Sequence, residues 1–257
     1  MQPSSTQRFS PKPATLSGRP VVIVLVTVMG LIGIAAGIYL WAHRVLAIPG
    51  MIYYPGGAFP FGPGNKPVNL GPFYMDETEV SNADFAEFCR AAGCTPPPGA
   101  PDLPVVGVTV AQARAFAQSK GKRLPTPQEW ERAARGVDAM RYPWGKAEDP
   151  KRANVSDNPT LTHHSLMPVK SFPATPEYHM AGNAWEMLES QATPGNAAVA
   201  LFANLLAPPP TADEKWIQIR GGSFNSPLSS AITYEYKPIP ERFSAPDIGF
   251  RCVKTFH

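Results

Sequence analysis

The sequence predicts an α+β domain with little regular secondary structure, preceded by a separate apolar segment. Proline supplies 31 of the 257 residues, far above the usual level of roughly 5%. The clusters Pro96–Pro98 and Pro208–Pro210 exclude helices and central strands at those positions. Short, well-capped helices nevertheless stand between strand-like segments. At 44% apolar residues, the chain is long enough for one large domain with its own core.

The clearest helix signal is the stretch 121–136, GKRLPTPQEWERAARG. Thr126 is a helix N-cap, Pro127 suits the first helical position, and Glu129 completes a capping box. The helix is predicted to end at Arg135, because Gly136 adopts the left-handed C-terminal conformation easily.

Two further helices precede it. Ser81 is predicted to cap a helix that ends at Gly93, and Thr109 a helix with Gln112 in its capping box and Gly121 at its end. Segment 51–64 predicts a strand, a glycine turn and a second short strand. It lacks the spacing of phosphate-binding loops.

Charge divides the chain into two parts. Arg8, Lys12, Arg19 and Arg44 are the only charged residues among the first 44, so the rest carries 19 basic and 20 acidic residues of the totals of 23 and 20. The predicted domain, with a net charge of −1, has no basic patch of the kind that binds nucleic acid. We therefore expect no nucleic-acid partner.

The first 43 residues predict a tail and a membrane anchor. Residues 1–19 have no acidic residue and no periodic apolar face, which predicts a disordered tail. Residues 21–42 contain no charge and are long enough to cross a bilayer, so we assign an anchor to 20–43. A cleaved signal peptide is the alternative, but its apolar region is usually only about 7 to 15 residues.

Basic residues favour one orientation of this anchor. Three precede the span and one follows it, which predicts a cytoplasmic N-terminus. Residues 44–257 then form an extracytoplasmic domain, periplasmic in a Gram-negative cell. Gly33 and Gly37 form a small-xxx-small pair through which another transmembrane helix can approach closely.

Five motifs occur in order: the stretch 121–136, RYPWG (141–145), GNAWE (182–186), RGGSF (220–224) and IGFRC (248–252). Together they resemble the formylglycine-generating enzyme family, also called sulfatase-modifying-factor domains. The resemblance covers about residues 51–253. It implies that family's irregular, C-type-lectin-like fold. Function has to be argued from the site and not from the fold.

The resemblance implies that active members hold copper(I) between two cysteine thiolates. The corresponding positions here are Ser226 and Ala231. Neither side chain supplies the soft thiolate that copper(I) prefers. We expect no copper, no catalytic residue and no formylglycine formation, since Ser223, retained from the motif, would have no base to activate it.

The resemblance also implies structural calcium. One set of ligands corresponds to Gly182, Ala184 and Glu186, with His179 in place of an Asn or Asp. A second set corresponds to Asn154 and Val155. Because imidazole is a poor ligand for calcium, the first site is weakened. Either calcium holds these loops or protein hydrogen bonds do so alone, and no other cofactor is expected.

The three cysteines have structural interpretations. Cys252 lies in the IGFRC motif, where we expect a small buried apolar side chain. Cys89 and Cys94 flank the predicted end of the first helix. They either form a local disulfide in an oxidising compartment or remain two buried thiols.

Residues 190–212 form an uncharged stretch of 23 residues, which includes AAVALFANLLA at 197–207. It is too short to cross a bilayer. It is either a helix packed in the core or an exposed apolar element that docks on a partner or on the membrane surface.

The leading hypothesis is a catalytically inactive, membrane-anchored protein that acts as a scaffold or accessory subunit of a membrane or periplasmic complex. Its partner would be an integral membrane protein complex, contacted through the anchor and residues 197–207. One alternative is a protein-modifying oxidoreductase of the same family with a different metal centre. Another is a module that binds a peptide or glycan in the old substrate groove.

Overall fold

The computed structural model describes residues 47–172 and 180–256. In these residues nine strands and four α-helices follow one another along the chain. They are β1 (Met51–Tyr54), β2 (Gly57–Phe61), β3 (Lys66–Leu70), β4 (Phe73–Asp76), α1 (Asn82–Ala92), α2 (Val110–Ser119), α3 (Pro127–Arg135), β5 (Trp185–Met187), α4 (Asn196–Ala203), β6 (Trp216–Arg220), β7 (Lys237–Pro240), β8 (Ile248–Gly249) and β9 (Val253–Thr255).

The predicted helix starts are confirmed. Ser81, Thr109 and Thr126 each accept a hydrogen bond from a backbone N–H of the first helical turn, and the last two form complete capping boxes. The predicted left-handed end is present at Gly93, with φ 71° and ψ 28°. Gly136 differs, because its positive φ of 68° is combined with an extended ψ of −162°.

The strands form three small sheets in the described part of the chain, with orders β1-β4-β9, β2-β3 and β7-β6-β5-β8. The strands β1 and β2, predicted on either side of a glycine turn, belong to different sheets. All pairs are antiparallel except β5 with β8. Such short, dispersed sheets agree with the proline content of the chain.

Two apolar clusters connect the helices to the sheets. In the first, α1 and α2 meet the IGFRC segment through Phe85, Phe116 and Phe250, with ring centroids 5.5 to 6.3 Å apart. In the second, α3 packs Trp130 against the inner face of the β1-β4-β9 sheet. The amphipathic pattern of these helices is therefore buried as expected.

A buried charge cluster attaches the β2-β3 hairpin to α3. Glu131 accepts hydrogen bonds from the N–H of Gly62 at 2.6 Å and from Arg135 and Arg220, both at 3.0 Å. Arg135 also donates to the carbonyl oxygens of Pro60 and Gly62. Burial raises the pKa of Glu131 despite its arginine partners.

The structure partly confirms both interpretations of the uncharged stretch 190–212. Helix α4 places Phe202 in the core, where its ring packs against Trp216 and Phe243 at centroid distances of 5.6 and 4.8 Å. Leu201 and Leu205 lie outside the core, with 59% and 56% of their surfaces exposed. One side of the segment is thus core and the other is an exposed apolar surface.

Cys89 and Cys94 are joined by a disulfide, and Cys252 is a buried free cysteine, as predicted. Burial raises the pKa of the Cys252 thiol well above its usual range. No helix among residues 47–172 and 180–256 is long and apolar enough to span a bilayer. The predicted tail and the anchor at 20–43 lie outside the described residues.

Candidate functional site

The centre of the described domain is a buried ion pair between the GNAWE and IGFRC motifs. Arg251 donates from Nε and Nη2 to the two carboxylate oxygens of Glu186, at 2.8 and 2.9 Å. Trp130 of α3 donates its indole N–H to Oε2 of Glu186 at 2.7 Å. All three side chains have no exposed surface. Such a pair is tolerated only with good geometry and further hydrogen bonds.

Arg251 also binds the backbone at the end of β4. Its Nη1 donates to the carbonyl oxygens of Asp76 and Glu77, at 3.1 and 3.3 Å. One guanidinium thereby connects the end of β4 to β5. Three of the predicted motifs are held together at this point, since Trp130 comes from the stretch 121–136.

A second buried network lies beside the first. Asn183 donates from Nδ2 to Glu79, at 3.0 and 3.3 Å from its two carboxylate oxygens, and accepts at Oδ1 from Asn154 and from the N–H of Met167, both at 2.9 Å. Burial raises the pKa of Glu79 well above its usual range, and the nearby Glu186 adds to this, whereas Arg251 opposes it.

Glycine is required where these networks meet. Gly182 has φ +80°, and a Cβ there would collide with the carbonyl oxygen of Asn154. The backbone of 154 and 182 is close enough to form an isolated parallel bridge. The structure therefore brings together the two segments that the sequence assigned to separate calcium sites.

The Glu186 carboxylate is largely occupied by protein donors. It accepts three N–H groups, two at Oε2 and one at Oε1, which leaves about one lone-pair site for any further ligand. Asn154 offers one free oxygen, since its buried Oδ1 has no hydrogen-bond partner. The described residues contain no cluster of three or more acidic, histidine or cysteine residues placed for a metal. His179 lies outside the described residues.

The other predicted ligands take part in protein hydrogen bonds. The N–H of Gly182 donates to the carbonyl oxygen of Gly221 at 2.7 Å, and the carbonyl oxygen of Asn154 accepts from the N–H of Asn183 at 2.8 Å. Val155 and Ala184 are fully buried in the same region. Calcium at Gly182, Ala184, Glu186, Asn154 and Val155 stays a prediction from the resemblance.

Ser226, one of the two positions assigned to the copper-binding cysteines, lies beside the buried Ser223. The hydroxyls of Ser226 and Ser223 are 3.1 Å apart, and Ser223 donates to Oδ2 of Asp247 at 2.7 Å. Ala231 is fully buried. The expectation that Ser223 has no neighbour able to act as a base is wrong, because the Asp247 carboxylate accepts its hydrogen bond. Asp247 lies directly before β8, at a position that the motif spacing did not indicate.

This Ser–Asp pair lacks the parts of a known nucleophile site. In the part of the chain that the structure describes, no histidine hydrogen-bonds to Ser223 or Ser226, and an imidazole is what carries the proton in serine hydrolases. Ser223 itself has no exposed surface. The arrangement holds a turn together and presents a carboxylate at the surface beside it.

Asp247 also lines an apolar cleft between α4 and the β7-β6-β5-β8 sheet. The cleft has a volume of about 320 Å³. Its charged lining residues are Asp247 and Lys237, and the ammonium of Lys237 lies 4.7 Å from the ring centroid of Trp185. The rest of the wall is apolar and includes Leu201, Phe202, Leu205, Ile239 and Phe243.

Comparison with known proteins identifies the family. The profile described as "Sulfatase-modifying factor enzyme 1-like domain" matches residues 41–256. The chain belongs to this family. The sequence resemblance to sulfatase-modifying-factor domains is thereby confirmed.

Two curated relatives of this sulfatase-modifying-factor chain carry opposite activities in their names. The mouse (Mus musculus) "Inactive C-alpha-formylglycine-generating enzyme 2" is 27% identical, over 80% of this chain and 86% of its own length. The "Formylglycine-generating enzyme" of Streptomyces coelicolor is 29% identical, over 82% and 91%. Membership in the sulfatase-modifying-factor family therefore does not decide activity.

The fold is confirmed by a solved structure. PvdO from Pseudomonas aeruginosa superposes with a TM-score of 0.62 over 80% of this chain and 94% of its own, at 19% identity. At that identity the comparison shows the fold alone. The mixed helix and sheet architecture is the one that the sequence motifs implied.

Breaking the buried ion pair should destabilise the domain. Arg251→Met should lower the free energy of unfolding by about 3 to 5 kcal/mol, because it leaves the Glu186 carboxylate buried without its partner. Adding Glu186→Gln should recover a large part of that loss. Urea unfolding of both variants tests this, and a single variant as stable as the wild type would contradict it.

Glu79 should make stability fall with rising pH. Its folded pKa is raised, so the folded state binds more protons than the unfolded state between pH about 4.3 and the folded pKa, and stability decreases as pH rises through that window. Urea unfolding at a series of pH values from about 5 to about 8 should show a smaller decrease in stability for Glu79→Gln than for the wild type.

The matched control is Glu87→Gln, on the exposed side of α1, where Glu87 pairs with Lys120 at the surface. This control should keep the wild-type pH dependence. A Glu79→Gln variant whose stability changes with pH as much as that of the wild type would refute the assignment.

Proposed function

We propose that this chain has no formylglycine-generating activity and acts as a membrane-anchored scaffold or accessory subunit of a membrane or periplasmic protein complex. The observation that carries the first part is the pair of residues at the copper positions. Ser226 and Ala231 supply a hydroxyl and a methyl group where two thiolates would be needed.

The remaining cysteines do not replace those thiolates. Cys89 and Cys94 are bonded to each other. Cys252 is buried, with its pKa raised well above the usual range, and its backbone N–H donates to Asp76. A thiol in that state is a poor source of the thiolate that binds soft metals. These positions together support the proposal that the chain is inactive.

Support for the scaffold role comes from α4. Leu201 lies in the last turn of α4, and Leu205 lies in the turn directly after the helix. Both are more than half exposed, whereas Phe202 fixes the same helix to the core. A rigidly held, exposed apolar pair is typical of a site that docks on a partner. The predicted anchor at 20–43, with Gly33 and Gly37, would supply the second contact.

The apolar cleft favours peptide binding as a second candidate function. Its volume of about 320 Å³ lies at the small end of the range for ligand sites, roughly 300 to 1,000 Å³. Asp247 and Lys237 at its wall could each orient a polar group of a bound chain. This function needs no metal and is compatible with the loss of catalytic thiolates.

The scaffold role predicts companions that depend on α4. Extraction of the native membrane in mild detergent, followed by a native gel and mass spectrometry, should show this protein in a band with stoichiometric partners. Leu201→Ser with Leu205→Ser should weaken the band, because it removes an exposed apolar contact. Val137→Ser, at another residue that is 53% exposed, serves as the control and should leave the band unchanged.

Replacing Gly33 and Gly37 by Leu tests the contact through the anchor in the same gel. Loss of companions in this variant alone would assign the partner to the predicted span. A lone monomer from wild-type membranes would contradict the scaffold role and favour peptide binding.

A further inference from the structure

One face of the β1-β4-β9 sheet packs in the core with Trp130, and the opposite face is exposed at one end only, since Met51, Asp76 and Cys252 on that face are buried. Its register places Tyr53 opposite Tyr74, and Tyr74 opposite Lys254. Paired residues share a face, and Phe256 belongs to the same side because it follows Lys254 by two. The neighbouring pair Tyr54 and Phe73 points to the other side, where it packs in the cluster with Trp130.

The outer face carries three aromatic rings in mutual contact. The centroid of Tyr53 lies 5.3 Å from that of Tyr74 and 5.5 Å from that of Phe256, and Tyr74 and Phe256 are 5.9 Å apart. Phe256 is 36% exposed, Tyr53 is half-buried, and Lys254 beside them is exposed. We call Tyr53, Tyr74, Lys254 and Phe256 the aromatic face.

This composition matches the chemistry of a bilayer surface. Tyrosine rings combine an apolar body with a polar tip and concentrate at the level of the lipid headgroups. Lysine places its ammonium among anionic headgroups while its stem covers apolar surface. An interface between water and hydrocarbon satisfies both kinds of side chain at once.

The length of chain before the domain brings this face within reach of a membrane. Eight residues, 43–50, separate the uncharged run 21–42 from Met51, and eight residues span at most about 28 Å. Tyr53 follows Met51 by two residues in β1, a further distance of about 7 Å along the strand. This step rests on the membrane anchor in the proposed function.

We propose that the aromatic face docks on the phospholipid bilayer in which the chain is anchored. The rings of Tyr53 and Phe256 lie at headgroup level, and Lys254 contacts anionic lipid. Tyr74, which is only 6% exposed, supports the two outer rings from beneath. The aromatic face of the anchored domain then points toward the membrane, and α4 remains available to a protein partner.

The test uses the full chain, purified and reconstituted alone in vesicles of phosphatidylcholine and phosphatidylserine. A fluorophore is attached at Lys254→Cys, and doxyl-labelled lipid serves as the quencher. The control label is at Val137→Cys, directly after α3, which packs on the inner face of the sheet. The native cysteines are bonded or buried, so labelling is directed to the new thiol.

Docking predicts strong quenching at position 254 and weak quenching at position 137. Tyr53→Ser with Phe256→Ser should lower the docked-to-undocked ratio about fivefold, because two interfacial rings are lost. An unchanged melting temperature of this variant shows that the sheet is intact. Equal quenching at the two labels overturns the proposal, as does self-quenching between copies at position 254 without lipid quenching.

An alkaline wash of the vesicles separates this proposal from the anchor on which it rests. A chain that leaves the lipid in the wash refutes the anchor and the docking together. A chain that stays with the lipid but shows no quenching at position 254 refutes the docking alone and leaves the anchor standing.

Discussion

The buried ion pair of Glu186 and Arg251 is the constraint on which the described domain depends. Each charge would be costly without the other, and both have no exposed surface. The indole of Trp130 and the carbonyl oxygens at the end of β4 satisfy the remaining polar atoms. Sheets this short have few ladder hydrogen bonds, so the position of four chain segments is fixed by side chains at this one point.

The helices were predictable because their signals are local. A cap at Thr126 or Thr109 is decided within four residues, and the structure has both. Contacts between residues far apart in the sequence leave no such local signal. The ion pair joins residues 65 apart, the hydroxyl of Ser223 meets Asp247 from a separate loop, and β1 and β2 entered different sheets. The motifs located the site in the sequence. Only the structure shows that the Glu186 carboxylate is paired with the guanidinium of Arg251.

The same site explains how the fold and the chemistry of the family can separate. The ion pair and the Asn183 network lie in the core and determine the architecture. Ser226 lies in a bend where its hydroxyl contacts that of Ser223, and Ala231 ends a short 3-10 helix where its methyl group is buried. Loss of two thiolates there need not disturb the core. We infer that the family's architecture is retained here for its surfaces, namely the exposed leucines at the end of α4 and the aromatic face.

Titration with copper(I) tests this separation of fold and chemistry most directly. The wild-type chain should lose copper(I) to a competing chelator, because it presents no pair of thiolates. Ser226→Cys with Ala231→Cys should retain it. Stoichiometric copper(I) on the wild type, or conversion of a cysteine peptide to formylglycine by it, would contradict the account.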